Sequence, residues 1–367
     1  MNLSQLANNR ILDQPVYIPG KPIEEVAAQF GLVLKDVVKL ASNENPWGAS
    51  PHAIEKAKQA LLHVHLYPDG SGMGLIEKLA SKFSFTPEQF ILGNGSNEII
   101  ELLGHVFISP EDEIIYGQHA FAVYRLVTLL MGGIGISVKM PNLKHDLDLI
   151  RKAITPKTKI IFLPSPNNPT GTANTKEEII SFVENLPSHV ILCLDEAYVE
   201  YLEDPPDLRS FIEAGKKIIC LRTFSKIHGL AGLRIGYGYG SSEMISLLQK
   251  ARQPFNANSI AQAAAIGALE DESWVRQCRR RNFEGLKQME AGFNELGLQF
   301  IQSAGNFILL DVGNGQSVFE ALQKEGIISR PMPSDLSKYI RISIGTEMEN
   351  EKALSALSTI MPRFKAS

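Results

Sequence analysis

The sequence predicts an α/β fold in which a large, doubly wound and mostly parallel sheet is joined to a smaller α+β domain. Helical and strand patterns alternate from Pro51 onwards, as in sheets that are wound by crossover helices. The runs at 160–163 (IIFL) and 190–194 (VILCL) are apolar at every position, which is typical of parallel strands covered on both faces. After Pro254 the pattern changes to one long helix and several short strands, which predict the smaller domain.

These patterns divide the chain into three predicted parts. Residues 1–40 are an arm with a short helix, begun by Pro22 and ended by Gly31, that packs with the small domain. Residues 41–250 form the large domain and residues 251–367 form the small one. Helices are predicted at 51–63, 74–83, 96–108, 121–131, 146–154, 175–186, 272–296, 316–325 and 347–361. Strands are predicted at 37–41, 90–92, 113–116, 134–139, 158–163, 190–195, 217–222, 234–239, 307–312, 327–329 and 339–344.

Composition narrows the class of protein. The 367 residues are 44% hydrophobic and carry a net charge of −4, so neither nucleic acid nor an anionic membrane is an expected partner. The three cysteines have no metal-like spacing, and no metal site is expected. The first ten residues lack a basic start and an apolar run, so no signal peptide is expected, and no apolar stretch is long enough to cross a bilayer. A cytoplasmic protein is therefore predicted.

The stretch from Leu221 to Tyr237 (LRTFSKIHGLAGLRIGY) carries the strongest functional signal. Lys226 comes just after a buried strand, where α/β sheets bind their ligands. Most lysines are solvated surface residues, but apolar and small residues flank this one. Hydroxyl side chains precede it and Arg234 follows it, a combination that suits a phosphate.

Two further stretches supply matching chemistry. Asp195 ends the VILCL run, where a buried carboxylate needs a cationic or hydrogen-bonding partner, although it could also cap a helix. Asn168 lies in PSPNNPTGT, where it could be an ordinary turn residue or a donor to a ligand. The GNGSNE run at 93–98 begins a helix, and the N–H groups of such a helix start can bind an anion.

Together these stretches resemble the fold-type I aminotransferases, which depend on pyridoxal phosphate (PLP). The resemblance covers nearly the whole chain. Within that group the segments YIPGKPIEEV, VVKLASNENPWGASP, LYPDGSG and YIRISIGT are most similar to the histidinol-phosphate aminotransferase family. One departure concerns Phe121, because many relatives have tyrosine there within Pro-Thr-Tyr and this chain reads His119-Ala120-Phe121.

The resemblance implies a role for each motif residue. Lys226 would form the Schiff base, and Asp195 would pair with the pyridine nitrogen. Tyr198 and Asn168 would hold the ring oxygen, and Phe121 would stack on the ring. The residues expected around the cofactor phosphate are Gly95, Ser96, Asn97, Thr223, Ser225, Arg234 and, from a neighbouring subunit of a homodimer, Tyr67. The residues expected around the substrate are Arg341, Arg330, Tyr17 and Asn45.

The implied reaction is transfer of an amino group from histidinol phosphate to 2-oxoglutarate, with glutamate as product. Two other PLP enzymes on this fold stay open: an aromatic-amino-acid aminotransferase and a decarboxylase of a phosphorylated amino acid. A non-catalytic, PLP-sensing regulatory domain is a more distant alternative. Regulators of that kind carry an added basic DNA-binding domain, whereas only about 40 residues precede the large domain here.

Overall fold

The computed structural model describes residues 2–12, 14–16 and 20–365. The α-helices are α1 Asn9–Leu12, α2 Ile23–Phe30, α3 Pro51–Leu61, α4 Met73–Phe83, α5 Ser96–Phe107, α6 Ala122–Met131, α7 Leu147–Lys152, α8 Lys176–Glu184, α9 Arg209–Glu213, α10 Ser242–Ala251, α11 Ser259–Glu270, α12 Glu272–Glu295, α13 Gly315–Lys324 and α14 Glu347–Lys365. The β-strands are β1 Val38–Lys39, β2 Phe90–Gly93, β3 Glu113–Gly117, β4 Ile134–Val138, β5 Thr158–Pro164, β6 Ile191–Asp195, β7 Ile218–Thr223, β8 Gly236–Gly240, β9 Phe300–Ile301, β10 Phe307–Asp311, β11 Ile327–Ile328, β12 Arg330–Pro331 and β13 Tyr339–Ser343.

The largest sheet among the described residues has the strand order β2-β8-β7-β6-β5-β3-β4. Strands β7, β6, β5, β3 and β4 pair in parallel, and β8 runs antiparallel to both of its neighbours. The predicted α/β fold with a mostly parallel, doubly wound sheet is therefore confirmed. Because β2 and β7 both oppose β8, all strands except β8 point their carboxyl ends toward the same edge.

Two hydrophobic clusters cover the two faces of this sheet. Along β6, Leu192 and Leu194 belong to the cluster on one face, while Ile191 and Cys193 belong to the cluster on the other. Both faces of the sheet are buried, so positions 191–194 of the strand are all apolar, which is the reason for the uninterrupted VILCL pattern.

A second sheet has the order β12-β13-β10-β9 and is antiparallel throughout. Its core includes buried side chains of α12, α13 and α14, such as Phe293, Leu322 and Leu357. The short strand β1 pairs in parallel with β11, with Val38 opposite Ile327, and these two strands form a separate small sheet. The division at residues 40 and 250 remains a prediction.

Helix α11 was not predicted from the sequence, and neither were α9, α10, β9 and β12. Its sequence, SIAQAAAIGALE, is apolar on most sides and lacks the one-sided pattern of a surface helix. Small residues line its contact with α3: a Cβ added at Gly267 would lie 2.9 Å from the Cα of Ala53. This closeness requires a small residue at Gly267, where α11 meets α3. No helix in the described part of the chain has the length and apolar character needed to span a membrane.

A matched pair of substitutions on α12 tests the core of the smaller sheet. Phe293 is fully buried there, whereas Phe283 on the same helix is 52% exposed. Phe293→Ala is expected to lower the free energy of unfolding by about 3–5 kcal/mol, because it leaves a cavity in a close-packed core. Phe283→Ala is expected to change it by no more than about 0.5 kcal/mol. Urea denaturation of both variants measures the difference, and equal losses would contradict this account of the core.

Candidate active site

Ten of the predicted site residues meet at the carboxyl edge of the large sheet. Asp195 ends β6 and is paired with Pro164 at the end of β5, while Thr223 ends β7. A cavity of about 710 Å³ opens between these strand ends. The predicted residues that line it are Ser96, Asn97, Phe121, Asn168, Asp195, Tyr198, Thr223, Ser225, Lys226 and Arg234. This is the edge at which parallel α/β sheets bind their ligands.

Lys226 follows β7 by three residues and is held by a tight turn. Gly229 has a φ of +70°, and a Cβ there would lie 2.3 Å from the carbonyl oxygen of Gly48, so a larger residue would displace the lysine loop. The Lys226 Nζ donates to the carbonyl of Ser42 at 3.2 Å and lies 5.5 Å from the ring centre of Tyr198. The amine therefore sits in the cavity with a weak, replaceable partner.

Asp195 presents a buried carboxylate to the same cavity, with only 5% of the residue exposed. Burial raises the pKa of this carboxyl above its ordinary value, and hydrogen bonds from Tyr124 and from the Ala197 amide partly offset that rise. The Tyr124 hydroxyl donates to Oδ2 at 2.7 Å, and the Ala197 N–H donates to Oδ1 at 3.1 Å. A cationic partner in the cavity would stabilise the carboxylate further.

Tyr124 is a site residue that the sequence reasoning missed. It is fully buried one helical turn after Phe121, and its ring stacks on Phe162 at 4.7 Å with an angle of 7° between the planes. Burial raises the pKa of its phenol well above the ordinary value, so the group keeps its proton and acts as a donor. A tyrosine inside an apolar helical pattern is usually a core residue, and nothing in its sequence context points to Asp195.

A cluster of donors forms an anion cup at the end of the cavity beside β2 and β8. Helix α5 begins after Gly95, which has a φ of +76°, and a Cβ at Gly95 would lie 2.4 Å from the Arg234 Nη2. Arg234 Nη1 donates to the Ser225 hydroxyl at 3.1 Å, and the hydroxyls of Thr223 and Ser225 are 3.0 Å apart. The cup thus combines a helix N-terminus, two hydroxyls and a guanidinium, which together favour a phosphate.

Asn168 and Tyr198 line the cavity, and Arg341 of the smaller sheet contacts Asn168. Arg341 Nη1 donates to the Asn168 Oδ1 at 2.5 Å, and its Nη2 donates to the Ala41 carbonyl at 2.6 Å. Arg330 lies directly opposite Arg341 in the β12–β13 pair, so both side chains leave the same face of the smaller sheet. The two arginines are 11 residues apart in the sequence, so their spacing alone does not predict this pairing.

Asn45, Tyr67 and Tyr17 are placed differently. Asn45 lies behind the lysine loop, where its amide donates to the Ile227 carbonyl at 2.7 Å, and it does not border the cavity of the single chain. Tyr67 is 83% exposed and stacks on Phe255 with ring centres 4.8 Å apart, away from this chain's own cavity. Tyr17 lies outside the described residues.

Comparison with known proteins agrees with this architecture. The model of the family described as aminotransferase class I and II matches residues 35–357. A curated relative from Nitrosospira multiformis, named histidinol-phosphate aminotransferase 2, is 43% identical and covers 98% of this chain and 92% of its own. A histidinol-phosphate aminotransferase from Akkermansia muciniphila is 42% identical over 98% of this chain and all of its own.

The solved structures show the same fold. A crystal structure of histidinol-phosphate aminotransferase from Sinorhizobium meliloti, in complex with pyridoxal-5'-phosphate, matches with a TM-score of 0.87. It is 25% identical and covers 97% of this chain and 98% of its own. The fold is that of a fold-type I transferase. The chain belongs to the class I and II aminotransferase family and is a transaminase.

Replacing Tyr124 by phenylalanine tests the role of its hydroxyl at Asp195. Loss of this hydrogen bond raises the pKa of the carboxyl further, so the carboxylate is protonated at a higher pH. The acid limb of the pH profile of kcat/KM is expected to move upward by about one unit, since a hydrogen bond to a charged group is worth about 1.5 kcal/mol. Tyr116→Phe, on the neighbouring element β3, serves as the control. An acid limb that does not move in Tyr124→Phe would exclude this role.

Proposed function

We propose that this chain transfers the amino group of histidinol phosphate to 2-oxoglutarate, with PLP as its cofactor. The observation that carries the proposal is one cavity that holds an amine (Lys226), a buried carboxylate (Asp195) and, at its other end, the anion cup. The names of the curated relatives at 42–43% identity support the choice of substrate.

The donor set fits PLP at three points. The anion cup suits its phosphate, because Arg234 and the start of α5 both favour a dianion. Asp195 suits a protonated ring nitrogen, since burial raises the pKa of its carboxyl and a cationic partner would stabilise the charged form. Tyr198 and Asn168 lie between these ends and suit the ring oxygen. When bound, PLP supplies the electron sink that transamination requires.

Lys226 is the proposed proton carrier of the reaction. Its Nζ has a carbonyl partner that can be exchanged for another, and the aromatic face of Tyr198 lies beside it. A lysine amine that has given up its proton can accept one from a substrate carbon and return it to a neighbouring atom. Asp195 holds a negative charge throughout, so it stabilises positive charge at the ring-nitrogen end of the cavity.

Arg341 is the proposed anion receptor for both substrates, with Arg330 beside it on the same face of the sheet. A guanidinium fork pairs with a phosphate monoester as well as with a carboxylate, so one site can accept histidinol phosphate and then 2-oxoglutarate. The Arg341–Asn168 hydrogen bond joins this receptor to the side chain proposed to hold the ring oxygen.

An absorbance titration tests the proposed function. Protein mixed with PLP is expected to develop a visible band, which histidinol phosphate removes and 2-oxoglutarate restores. Lys226→Ala is expected to abolish the restoration and to lower turnover by at least about 10³-fold, because a general base and nucleophile is lost. Lys250→Ala, an exposed lysine on α10, is the matched control.

The same titration discriminates between substrates. A band that responds to phenylalanine or tyrosine and not to histidinol phosphate would leave the cofactor assignment intact and overturn the substrate. A protein that forms no visible band with PLP would overturn the whole proposal.

We also propose that a second copy of this chain completes the site, with its Tyr67 near the anion cup. Tyr67 belongs to an exposed apolar surface, and the other members of this surface are Leu61, Leu62, Val64, Leu66 and Phe255. Monomeric proteins seldom leave so many large apolar side chains adjacent and exposed. Their position next to Tyr67 supports burial against an identical chain.

Light scattering tests this dimer. The wild-type protein is expected at about twice the 40.4 kDa of one chain, and Leu62→Glu at the mass of one chain with much weaker retention of PLP, because a charge would be buried in the interface. Met348→Glu places the same charge on an exposed position of α14 and is the control. A wild-type mass of one chain, unchanged by PLP, would refute the dimer.

A further inference from the structure

The segment Ala41–Asn43 crosses the site between the two sheets and touches three of the proposed functional side chains. The Ala41 carbonyl accepts from Arg341 at 2.6 Å, and the Ser42 carbonyl accepts from Lys226 at 3.2 Å. The Asn43 Nδ2 donates to the Tyr198 hydroxyl oxygen at 2.8 Å. The first two contacts use the backbone, which any residue would supply. The third depends on the side chain at position 43.

The orientation of the Asn43 amide is determined by its other partners. The Ser343 hydroxyl accepts from the backbone N–H of Asn43 at 2.9 Å, so its own proton is left to donate to the Asn43 Oδ1 at 3.1 Å. With Oδ1 facing Ser343, the NH₂ group must face Tyr198. A flipped amide would draw the Tyr198 proton toward Oδ1 and away from the cavity, and the Ser343 hydroxyl would have to accept a second N–H.

The backbone of Asn43 is held as firmly as its side chain. The residue is 1% exposed and has a φ of +54°, a conformation that asparagine adopts more readily than most residues. Its carbonyl accepts from the Asn306 Nδ2 at 3.0 Å. Few alternative positions are therefore open to the amide.

We infer that Asn43 is a positioning residue that directs the single hydroxyl proton of Tyr198 into the cavity, toward the cofactor's ring oxygen. The Tyr198 oxygen accepts from Asn43, so a proton sent back toward the amide would meet two N–H groups. The remaining favourable direction is toward the cavity that Tyr198 lines with Asn168 and Lys226. Ser343 lies two residues after Arg341 on β13, so the same contact joins the anion receptor to this donor. The inference rests on the proposed PLP function.

The test is the pH at which the visible band of the PLP-loaded protein changes. A donor to the ring oxygen stabilises its negative charge, and without that donor the adjacent nitrogen of the Lys226 linkage keeps its proton to higher pH. Asn43→Asp preserves the shape and the tolerance of positive φ but accepts the tyrosine proton instead of donating. It is expected to raise the transition by about one pH unit, the direction also expected for Tyr198→Phe.

Two further variants disturb the same Asn43 amide in different ways. Asn43→Gly accommodates the positive φ and removes the side chain, and Ser343→Ala removes the hydroxyl that orients it. Both are expected to raise the transition by a smaller amount. In a Tyr198→Phe background, none of these substitutions is expected to shift it further, because the proton that they direct is absent.

Asn282→Ala controls for general loosening of the protein. Asn282 is a buried asparagine on α12 that donates to the Gly305 carbonyl at 3.0 Å, and its replacement is expected to lower the melting temperature without moving the spectral transition.

The outcomes separate this inference from the proposed function. A wild-type protein without a visible band removes the function and the inference together. A wild-type band that shifts in Tyr198→Phe but in no Asn43 or Ser343 variant overturns the inference alone. The inference is also overturned if the Asn43 and Ser343 substitutions shift the transition as much in the Tyr198→Phe background as in the wild type. Such shifts would reflect a merely structural role.

Discussion

The arrangement of the site depends on a buried negative charge at the end of a parallel strand. β6 is an interior strand of the large sheet, with β7 and β5 on either side. The residue at its carboxyl end therefore lies at the cavity between the strand ends. Asp195 is that residue, and its carboxylate cannot be solvated by bulk water. Hydrogen bonds from Tyr124 and the Ala197 amide offset part of the desolvation of this carboxylate. The part that is not offset raises the pKa of the carboxyl. A cationic ligand offsets this remaining part, so the electrostatics of the fold itself favour occupation of the cavity.

The opposite end of the cavity is positively charged. Positive charge from Arg234 and from the start of α5 converges where Gly93, Thr223 and Gly236 lie side by side in register. A Cβ at Gly236 would lie 2.4 Å from the Ser96 nitrogen, so glycine at this position lets the helix start approach the sheet. A ligand with a cationic nitrogen at one end and a dianion at the other is therefore favoured in one orientation.

Sequence patterns predicted the parts of the site that lie on single strands. Asp195 and Lys226 follow apolar runs whose burial is plain from composition, and the carboxyl edge of a parallel sheet brings such positions together. Contacts that join distant segments could not be predicted in this way. In the sequence, Tyr124 has the pattern of a core residue of α6 and Asn43 that of a turn residue. Only the fold places each beside a polar partner, 71 residues away for Tyr124 and 155 residues away for Asn43. Asn45, which was expected at the pocket, donates to the Ile227 carbonyl next to Lys226, a contact that its sequence context does not indicate.

The segment after β1 explains how two separate sheets can share one site. β1 pairs with β11 beside the smaller sheet, so the residues Ala41–Asn43, which follow β1 after Leu40, are bound to that side before they reach the cavity. Their contacts with Arg341, Lys226 and Tyr198 then span both sides within a single extended stretch. A displacement of the smaller sheet would move the anion receptor together with this segment, because the backbone N–H of Ser343 donates to the Leu40 carbonyl at 2.8 Å. The proposed anion receptor and the hydrogen bond on Tyr198 are thereby joined by one short segment, Ala41–Asn43.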